Sequence, residues 1–188
     1  IAMGQEIGVT ALQLATAVSA VANGGWLMRP YVVSEVRDGH GQLVAQVTPQ
    51  VRRRPITAET AQTLGTILEG VITAGTGSKA AVAGYRVAGK TGTAQKIDPD
   101  TGAYSPALSV ASFAGYVPAE DPRLTIIAII DEPQGEAWGG IVAAPVFRRV
   151  AEQALTYLGV SSQEPMKLAL AAHTGIGAGI GPGIRMVP

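Results

Sequence analysis

Apolar residues recur at helical spacing in three segments of the chain. The first begins after Thr10 with ALQLATAVSAVA and ends at an Asn-Gly-Gly sequence, and the second begins after Thr57 with AETAQTLGTILEGVITA. Threonine is a preferred N-cap because its hydroxyl accepts a backbone N–H, and glycine ends helices because it readily becomes left-handed. The third segment covers about residues 143–157, with Pro145 tolerated in its first turn. The pattern predicts three helices.

Other segments alternate between apolar and polar residues, which is typical of strands. YVVSEV and QLVAQV flank Asp38-Gly39-His40-Gly41, so we predict a β-hairpin there. A polar connection at 97–107, IDPDTGAYSPA, separates two of the later strand segments. The strands predicted after the second helix are 85–96, 108–117 and 123–131.

The order of these elements is helix, hairpin, helix, three sequential strands and helix. That order indicates an α+β fold with an antiparallel sheet flanked by helices. We expect residues 1–159 to form one domain. The glycine-rich residues 160–188 have no sustained period, so we expect a loosely ordered C-terminal tail.

Composition excludes several classes of function. The 188 residues include 14 basic and 14 acidic side chains, so a broad nucleic-acid surface is not expected. The basic run at 52–54 is interpreted as a solvated surface loop. The chain has no cysteine and only two isolated histidines, His40 and His173, so thiol catalysis and a histidine-rich metal centre are not expected. We predict no metal and no cofactor. No apolar stretch reaches the roughly 18 residues that span a bilayer.

The segment GYRVAGKTGTAQK, at 84–96, matches two unrelated motifs. Gly84–Thr91 spells G-x-x-x-x-G-K-T, the phosphate-binding loop of nucleotide hydrolases, and Asp131-Glu132 resembles their magnesium-binding carboxylate. That loop needs a buried strand before its first glycine and a helix starting at its lysine. The preceding GTGSKAAVA has no β-branched run, and Gly92 and Pro99 oppose a helix after Lys90. The nucleotide-binding interpretation is therefore disfavoured, although it remains an alternative.

The second motif is K-T-G, found on a strand of penicillin-recognising serine enzymes. We call Lys90-Thr91-Gly92-Thr93 the K-T-G-T segment. Two hydroxyls on one face of a strand, beside a cation, suit a ligand with a terminal carboxylate. Gly92 lets a ligand backbone approach closely, and an unpaired strand N–H could face an oxyanion. Strict alternation sends Lys90 to the other face, so its stem must reach back from an edge or a second domain must cover that face.

Four longer blocks occur in a recognisable order. They are GQEIGVTALQLATAVSAVANGG, GTGSKAAVAGYRVAGKTGTAQK, SFAGYVPAEDPRLTIIAIIDEP and WGGIVAAPVFRRV. Together they resemble the C-terminal half of the transpeptidase domain of class B (monofunctional) penicillin-binding proteins over about residues 3–158. Ala11 replaces the proline usual in that family, which is a minor departure.

The resemblance implies a penicillin-binding/β-lactamase-like serine transpeptidase fold and peptidoglycan D,D-transpeptidation, with β-lactams as inhibitors. It implies that Lys90 binds charge and positions protons, while Thr91 and Thr93 hold the carboxylate of a D-Ala-D-Ala stem peptide. It further implies that Gly92 leaves room for the substrate backbone, that the Thr93 N–H is one oxyanion donor, and that the loop 104–109 borders the cleft. The implied location is the extracytoplasmic (periplasmic) face of the bacterial membrane, within a cell-wall synthesis complex and anchored by an N-terminal segment.

The family also uses S-x-x-K for its nucleophile and S-x-N for proton relay. Neither motif occurs here: no lysine has a serine three residues before it, and Val21 stands two before Asn23, the only asparagine. We therefore expect both motifs upstream of Ile1, in the other half of the same domain, and we expect this chain to be inactive by itself. Other hypotheses are a β-lactam sensor, a serine β-lactamase-like domain, or a structural scaffold with an idle K-T-G.

Overall fold

The computed structural model describes residues 7–162, and helices form where the sequence predicts them. Their bounds are α1 Ala11–Ala22, α2 Ala58–Thr73 and α4 Ala144–Tyr157. A further helix, α3 at Gly139–Val142, precedes α4 and is missing from the prediction. The predicted tail at 160–188 lies almost wholly outside the described residues. Among residues 7–162, none of the helices combines the length and the apolar composition that spanning a bilayer requires.

Both predicted threonine caps are present. The Thr10 hydroxyl accepts the Gln13 N–H, and the Gln13 side chain accepts the Thr10 N–H in return. This reciprocal capping box satisfies two backbone donors that helix ends otherwise leave open. At α2, the Thr57 hydroxyl accepts the Thr60 N–H at 3.1 Å. Local chemistry therefore fixes where both helices begin.

The central sheet has three antiparallel strands in sequence order. They are β5 Ala88–Ile97, β6 Tyr104–Val117 and β7 Leu124–Asp131, and β6 lies in the middle. Two short sheets precede them, formed by β1 Leu27–Met28 with β4 Val51–Arg53 and by β2 Glu35–Arg37 with β3 Leu43–Gln46. The β2–β3 pair confirms the predicted hairpin, and the β1–β4 pair is not predicted.

Several predicted boundaries are wrong for local reasons. The first central strand begins at Ala88 rather than residue 85, because Gly84 turns the chain at φ +81. The middle strand begins at Tyr104 rather than residue 108. The intervening loop is short because the Asp98 N–H donates to the Ala103 carbonyl and closes a turn. The basic run predicted as a loop is exposed as expected, but most of it belongs to strand β4.

The core lies between the central sheet and α4. Phe113, Phe147, Leu155 and Val117 are its largest fully buried side chains. The Phe113 and Phe147 rings meet edge to face, with centroids 4.8 Å apart and planes at 61°. On the opposite face of β6, Tyr116 reaches α2, where a Cβ at Gly65 would lie 2.8 Å from its hydroxyl oxygen. Helices therefore flank both faces of the sheet, as the fold class predicts.

We expect Phe147→Ala to lower the free energy of unfolding by about 3–5 kcal/mol, because it leaves a cavity against Phe113. Urea unfolding monitored by circular dichroism measures the loss. Tyr157→Ala is the matched control on the same helix, since Tyr157 is 90% exposed and its truncation should change stability by less than about 0.5 kcal/mol. Equal losses in both variants would contradict the assigned core.

Candidate functional site

The K-T-G-T segment lies on an edge strand. Within residues 7–162, β5 pairs only with β6, so one side of β5 has no neighbouring strand. Edge strands present unpaired N–H and C=O groups to a ligand or partner. The geometry also excludes the phosphate-loop interpretation of Gly84–Thr91, because Lys90 lies inside an extended strand and no helix N-terminus begins there. That alternative is wrong.

Thr91 and Thr93 face the same side of the sheet, and each hydroxyl contacts a neighbouring segment. The Thr91 and Thr76 hydroxyl oxygens are 2.8 Å apart, a hydrogen bond in which either can donate. The Thr93 hydroxyl accepts the Gly139 N–H at 3.1 Å. Since a hydroxyl can accept and donate at once, the Thr93 O–H remains available to a carboxylate.

Lys90 has an exposed side chain that folds along the edge of its own strand toward the next residue, Thr91. Its ammonium nitrogen lies 2.9 Å from the Thr91 carbonyl oxygen and 3.4 Å from the Thr91 hydroxyl oxygen. Strand alternation places the Lys90 Cβ on the face opposite Thr91. The side chain is long enough for its ammonium group to reach around the strand edge to Thr91 all the same. The cation and the two threonine hydroxyls therefore lie together at the edge of β5.

Three glycines allow the backbones around this edge to approach closely. A Cβ at Gly139 would overlap the carbonyl oxygens of Ser112 and Gly92. A Cβ at Gly140 would overlap the Thr76 carbonyl oxygen, and one at Gly92 would lie 2.5 Å from the Ser112 hydroxyl oxygen. The start of α3 is therefore seated directly on the two strands. This contact places the Gly139 N–H at Thr93.

An open groove of about 780 Å³ runs along the edge of β5. Its lining comes from three segments, at 76–79, 90–93 and 138–141. Trp138 is 66% exposed beside it, and two lysines, Lys79 and Lys90, line it. No aspartate or glutamate is among the described residues that line it. A groove with cations, hydroxyls and an aromatic surface suits a ligand that is anionic at one end and apolar elsewhere.

The model of the penicillin binding protein transpeptidase domain matches residues 1–152. The chain belongs to this family. Stage V sporulation protein D of Bacillus subtilis is 40% identical over 165 residues, which cover 87% of this chain and 25% of that protein. Penicillin-binding protein PbpB of Mycolicibacterium smegmatis is 39% identical, with 79% and 24% covered. The chain thus spans about a quarter of the length of the curated relatives it matches.

Solved transpeptidases have the same fold. Penicillin binding protein 3 of Mycobacterium tuberculosis superposes with a TM-score of 0.76 at 33% identity, over 86% of this chain and 38% of that one. That protein has also been solved in complexes with aztreonam and ampicillin. The similarity confirms the α+β serine transpeptidase fold expected from the sequence.

The structure brings all four predicted site residues, the K-T-G-T segment, to the groove. It does not bring the predicted cleft loop at 104–109 there: Tyr104 pairs with Ile97 at the far end of β5, and Ser109 is buried. Sequence reasoning missed Thr76 and the Trp-Gly-Gly at 138–140. The signal for the latter was two adjacent glycines beside a tryptophan, directly after a polar turn.

Lys96 forms a second cluster on β5, with the two carboxylates that resemble a magnesium-binding pair. Its ammonium nitrogen lies 3.1 Å from Asp131 Oδ1 and 2.5 Å from Glu132 Oε1. These interactions raise the pKa of Lys96, chiefly the hydrogen bond to Glu132 and then that to Asp131. Both carboxylates are therefore engaged by a lysine. Within residues 7–162 no group of three or more metal-ligating side chains is assembled.

We expect Gly139→Ala to destabilise the protein by about 1–3 kcal/mol, because the new methyl group must push α3 away from Gly92 and Ser112. Gly70→Ala is the control: its Cβ meets no atom within 4 Å, and alanine in a helix should stabilise by up to about 1 kcal/mol. Thermal unfolding measures both. A neutral Gly139→Ala would show that α3 is not held against β5.

Proposed function

We propose that this chain forms one side of the active site of a peptidoglycan D,D-transpeptidase, a serine enzyme that cross-links stem peptides. The observation that supports this most directly is the convergence of the Lys90 ammonium and two threonine hydroxyls on one open groove. Membership of the transpeptidase-domain family supports the reaction class. Relatives with matching segments include proteins named as peptidoglycan D,D-transpeptidases.

In this proposal the groove binds the carboxylate at the D-Ala-D-Ala end of a stem peptide. The Thr93 hydroxyl donates to it, because the Gly139 N–H already occupies an acceptor position on that oxygen. The Thr91 hydroxyl and the Lys90 ammonium bind it from the neighbouring positions. Gly92 has no side chain, so the peptide backbone can lie against β5. Charge-assisted hydrogen bonds then fix the scissile carbonyl for attack.

The covalent step needs a serine that the proposal assigns to the upstream half of the domain. Its oxygen attacks the carbonyl carbon of the penultimate D-Ala, and the terminal D-Ala leaves as its amine takes a proton. An amine of a neighbouring stem peptide then attacks the acyl-serine ester and releases the serine. The Thr93 N–H, on the edge of β5, donates to the oxyanion in both steps, and Lys90 helps to position the protons.

The same site would take β-lactams. Their carboxylate occupies the position of the substrate carboxylate, and ring opening acylates the serine. The complexes of M. tuberculosis penicillin binding protein 3 with aztreonam and ampicillin support this part of the proposal.

Domain limits and location follow from the same proposal. We propose that residues 1–159 are the C-terminal portion of the transpeptidase domain, which the family match over residues 1–152 supports, and that 160–188 are a tail outside it. The whole protein then works at the extracytoplasmic side of a bacterial membrane, anchored by a segment outside this chain and joined to a cell-wall synthesis complex through its other half.

In the full-length protein we expect Lys90→Ala to lower the rate of acylation by a fluorescent penicillin about 10²-fold or more, because a preorganised charge at the reacting centre is lost. In-gel fluorescence against time measures the rate. Arg149→Ala removes an exposed cation on α4 and should label like the wild type. Unchanged labelling of Lys90→Ala would instead favour the scaffold hypothesis, with an idle K-T-G.

The 188-residue chain alone should not become covalently labelled by the fluorescent penicillin, because neither serine motif is present. Mixing it with the separately produced upstream half should restore labelling on that half. Label on this chain, found by mass spectrometry of its peptides, would contradict the assignment of the nucleophile.

A further inference from the structure

The loop that joins β7 to α3 is attached to β5 at both of its ends. It covers residues 132–138 and presents Trp138 to the groove. Its first residue, Glu132, contacts Lys96, and its far end is held where the Gly139 N–H donates to Thr93. Lys96 and Thr93 are three residues apart on one strand. The same strand therefore fixes the beginning and the end of a loop that borders the groove.

Lys96 reaches its carboxylate partners across the middle strand. Gln95 pairs with Ser109 and Ile97 with Tyr104, so the extra residues of the register shift lie on β6 rather than on β5. Ala94 is paired through Val110 with Asp131, and Lys96 is two residues from Ala94, so strand alternation places Lys96 and Asp131 on the same face of the sheet. The Lys96 ammonium nitrogen lies 3.1 Å from Asp131 Oδ1, at the end of the far strand.

Glu132 adopts a conformation that the surrounding contacts must maintain. It is the only non-glycine residue with positive φ, +49, among residues 7–162. Such a backbone is strained for a residue with a side chain, and it persists when neighbouring contacts fix it. The Glu132 N–H donates to the Ser109 carbonyl at 2.9 Å, and its carboxylate contacts Lys96. The turn that starts the loop is thus held by its backbone and by Lys96.

We propose that Lys96 is a positioning residue of the transpeptidase site: it holds the start of loop 132–138, and through that loop it keeps Gly139 against the Thr93 hydroxyl. This inference rests on the proposed function of Thr93 in binding the substrate carboxylate. Without the lysine, the two adjacent carboxylates repel each other and the start of the loop keeps only its backbone hydrogen bond to Ser109. Movement of the loop then displaces Gly139, so the Thr93 hydroxyl loses the N–H donor that orients it.

The solvent exposure of the ion pairs between Lys96 and the two carboxylates distinguishes a positioning role for Lys96 from a role in the stability of the whole fold. The side chains of Lys96, Asp131 and Glu132 are 33%, 64% and 45% exposed. Ion pairs with this much solvent contact contribute little to global stability. The effect of Lys96 is therefore local, on the loop and on ligand binding. The hydrogen bonds to Glu132 and Asp131 raise the pKa of Lys96, which favours its charged form.

The test uses the full-length protein with Lys96→Met and Lys96→Arg. Stopped-flow acylation by a fluorescent penicillin separates the dissociation constant of the initial complex from the acylation rate constant. We expect Lys96→Met to weaken the initial complex about tenfold, because the carboxylate-binding hydroxyl is misplaced, while the acylation rate constant changes less than about twofold. Lys96→Arg should restore binding, since arginine keeps the charge.

A matched control is Arg123→Met, which removes an exposed cation paired with Asp121 at the other end of β7. It should leave both constants and the melting temperature unchanged. An initial complex unaltered by Lys96→Met would overturn the proposal. So would weaker binding that arginine does not restore, or that accompanies an equal fall of the melting temperature, because either result indicates a general packing defect.

Hydrogen exchange gives a readout that does not depend on activity. Amides of residues 134–140 should exchange faster in Lys96→Met, while those of α4 should not change. Unchanged loop exchange overturns the proposal, and so does faster exchange with normal penicillin binding.

If the wild-type protein is not acylated at all, the proposed function fails and the positioning role fails with it. If the wild type is acylated, Lys90→Ala is impaired and Lys96→Met is normal, then only the inference about Lys96 fails.

Discussion

The pairing of β5 with β6 is the constraint on which the rest of this structure depends. The ladder runs from Ala88 opposite Tyr116 to Ile97 opposite Tyr104, and it fixes one side of β5 while the other side has no strand among the described residues. A strand paired on one side only still offers the backbone groups of its other side to a ligand. The Phe113–Phe147 contact packs α4 against one face of the sheet. The pairing with β6 therefore fixes the positions from which Lys90, Thr91 and Thr93 line the groove.

Small residues then decide how closely other segments approach that edge. Gly139 and Gly140 let the start of α3 lie against the backbones of β5, β6 and Thr76, and Gly92 leaves room for the Ser112 side chain beside β5. The result is that the Gly139 backbone N–H donates directly to the Thr93 hydroxyl. Glycines, which have no side chain, therefore control the hydrogen bonding of the threonine hydroxyl that faces the groove. This coupling also explains why a short helix without a side-chain cap persists at this place.

Most of the fold could be predicted from the sequence, because long helices and strands impose a period on it. Three helices and three central strands follow from that period and from threonine and glycine end signals. The errors have local causes. Helix α3 has four residues, too few to show a period, and the strand limits depend on turns at Gly84 and Asp98 that the pattern does not reveal. The K-T-G-T segment was identified by motif and resemblance. Lys96 contacts Asp131 and Glu132, which lie 35 and 36 positions further along the chain. These contacts are set by the order of the strands in the sheet, which no local sequence pattern encodes.

The charge distribution around the groove also affects how fast ligands arrive. Lys79 and Lys90 both line it, no described acidic residue does, and the nearest hydrogen-bond partner of Lys90 is the uncharged carbonyl of its neighbour. The positive potential is therefore not cancelled locally, although the chain as a whole is neutral. An uncompensated field in a concave site concentrates counter-ions and speeds the encounter with anionic molecules, more strongly in dilute salt than in concentrated salt. The lysines thus set a diffusional preference for anionic ligands before any hydrogen bond forms.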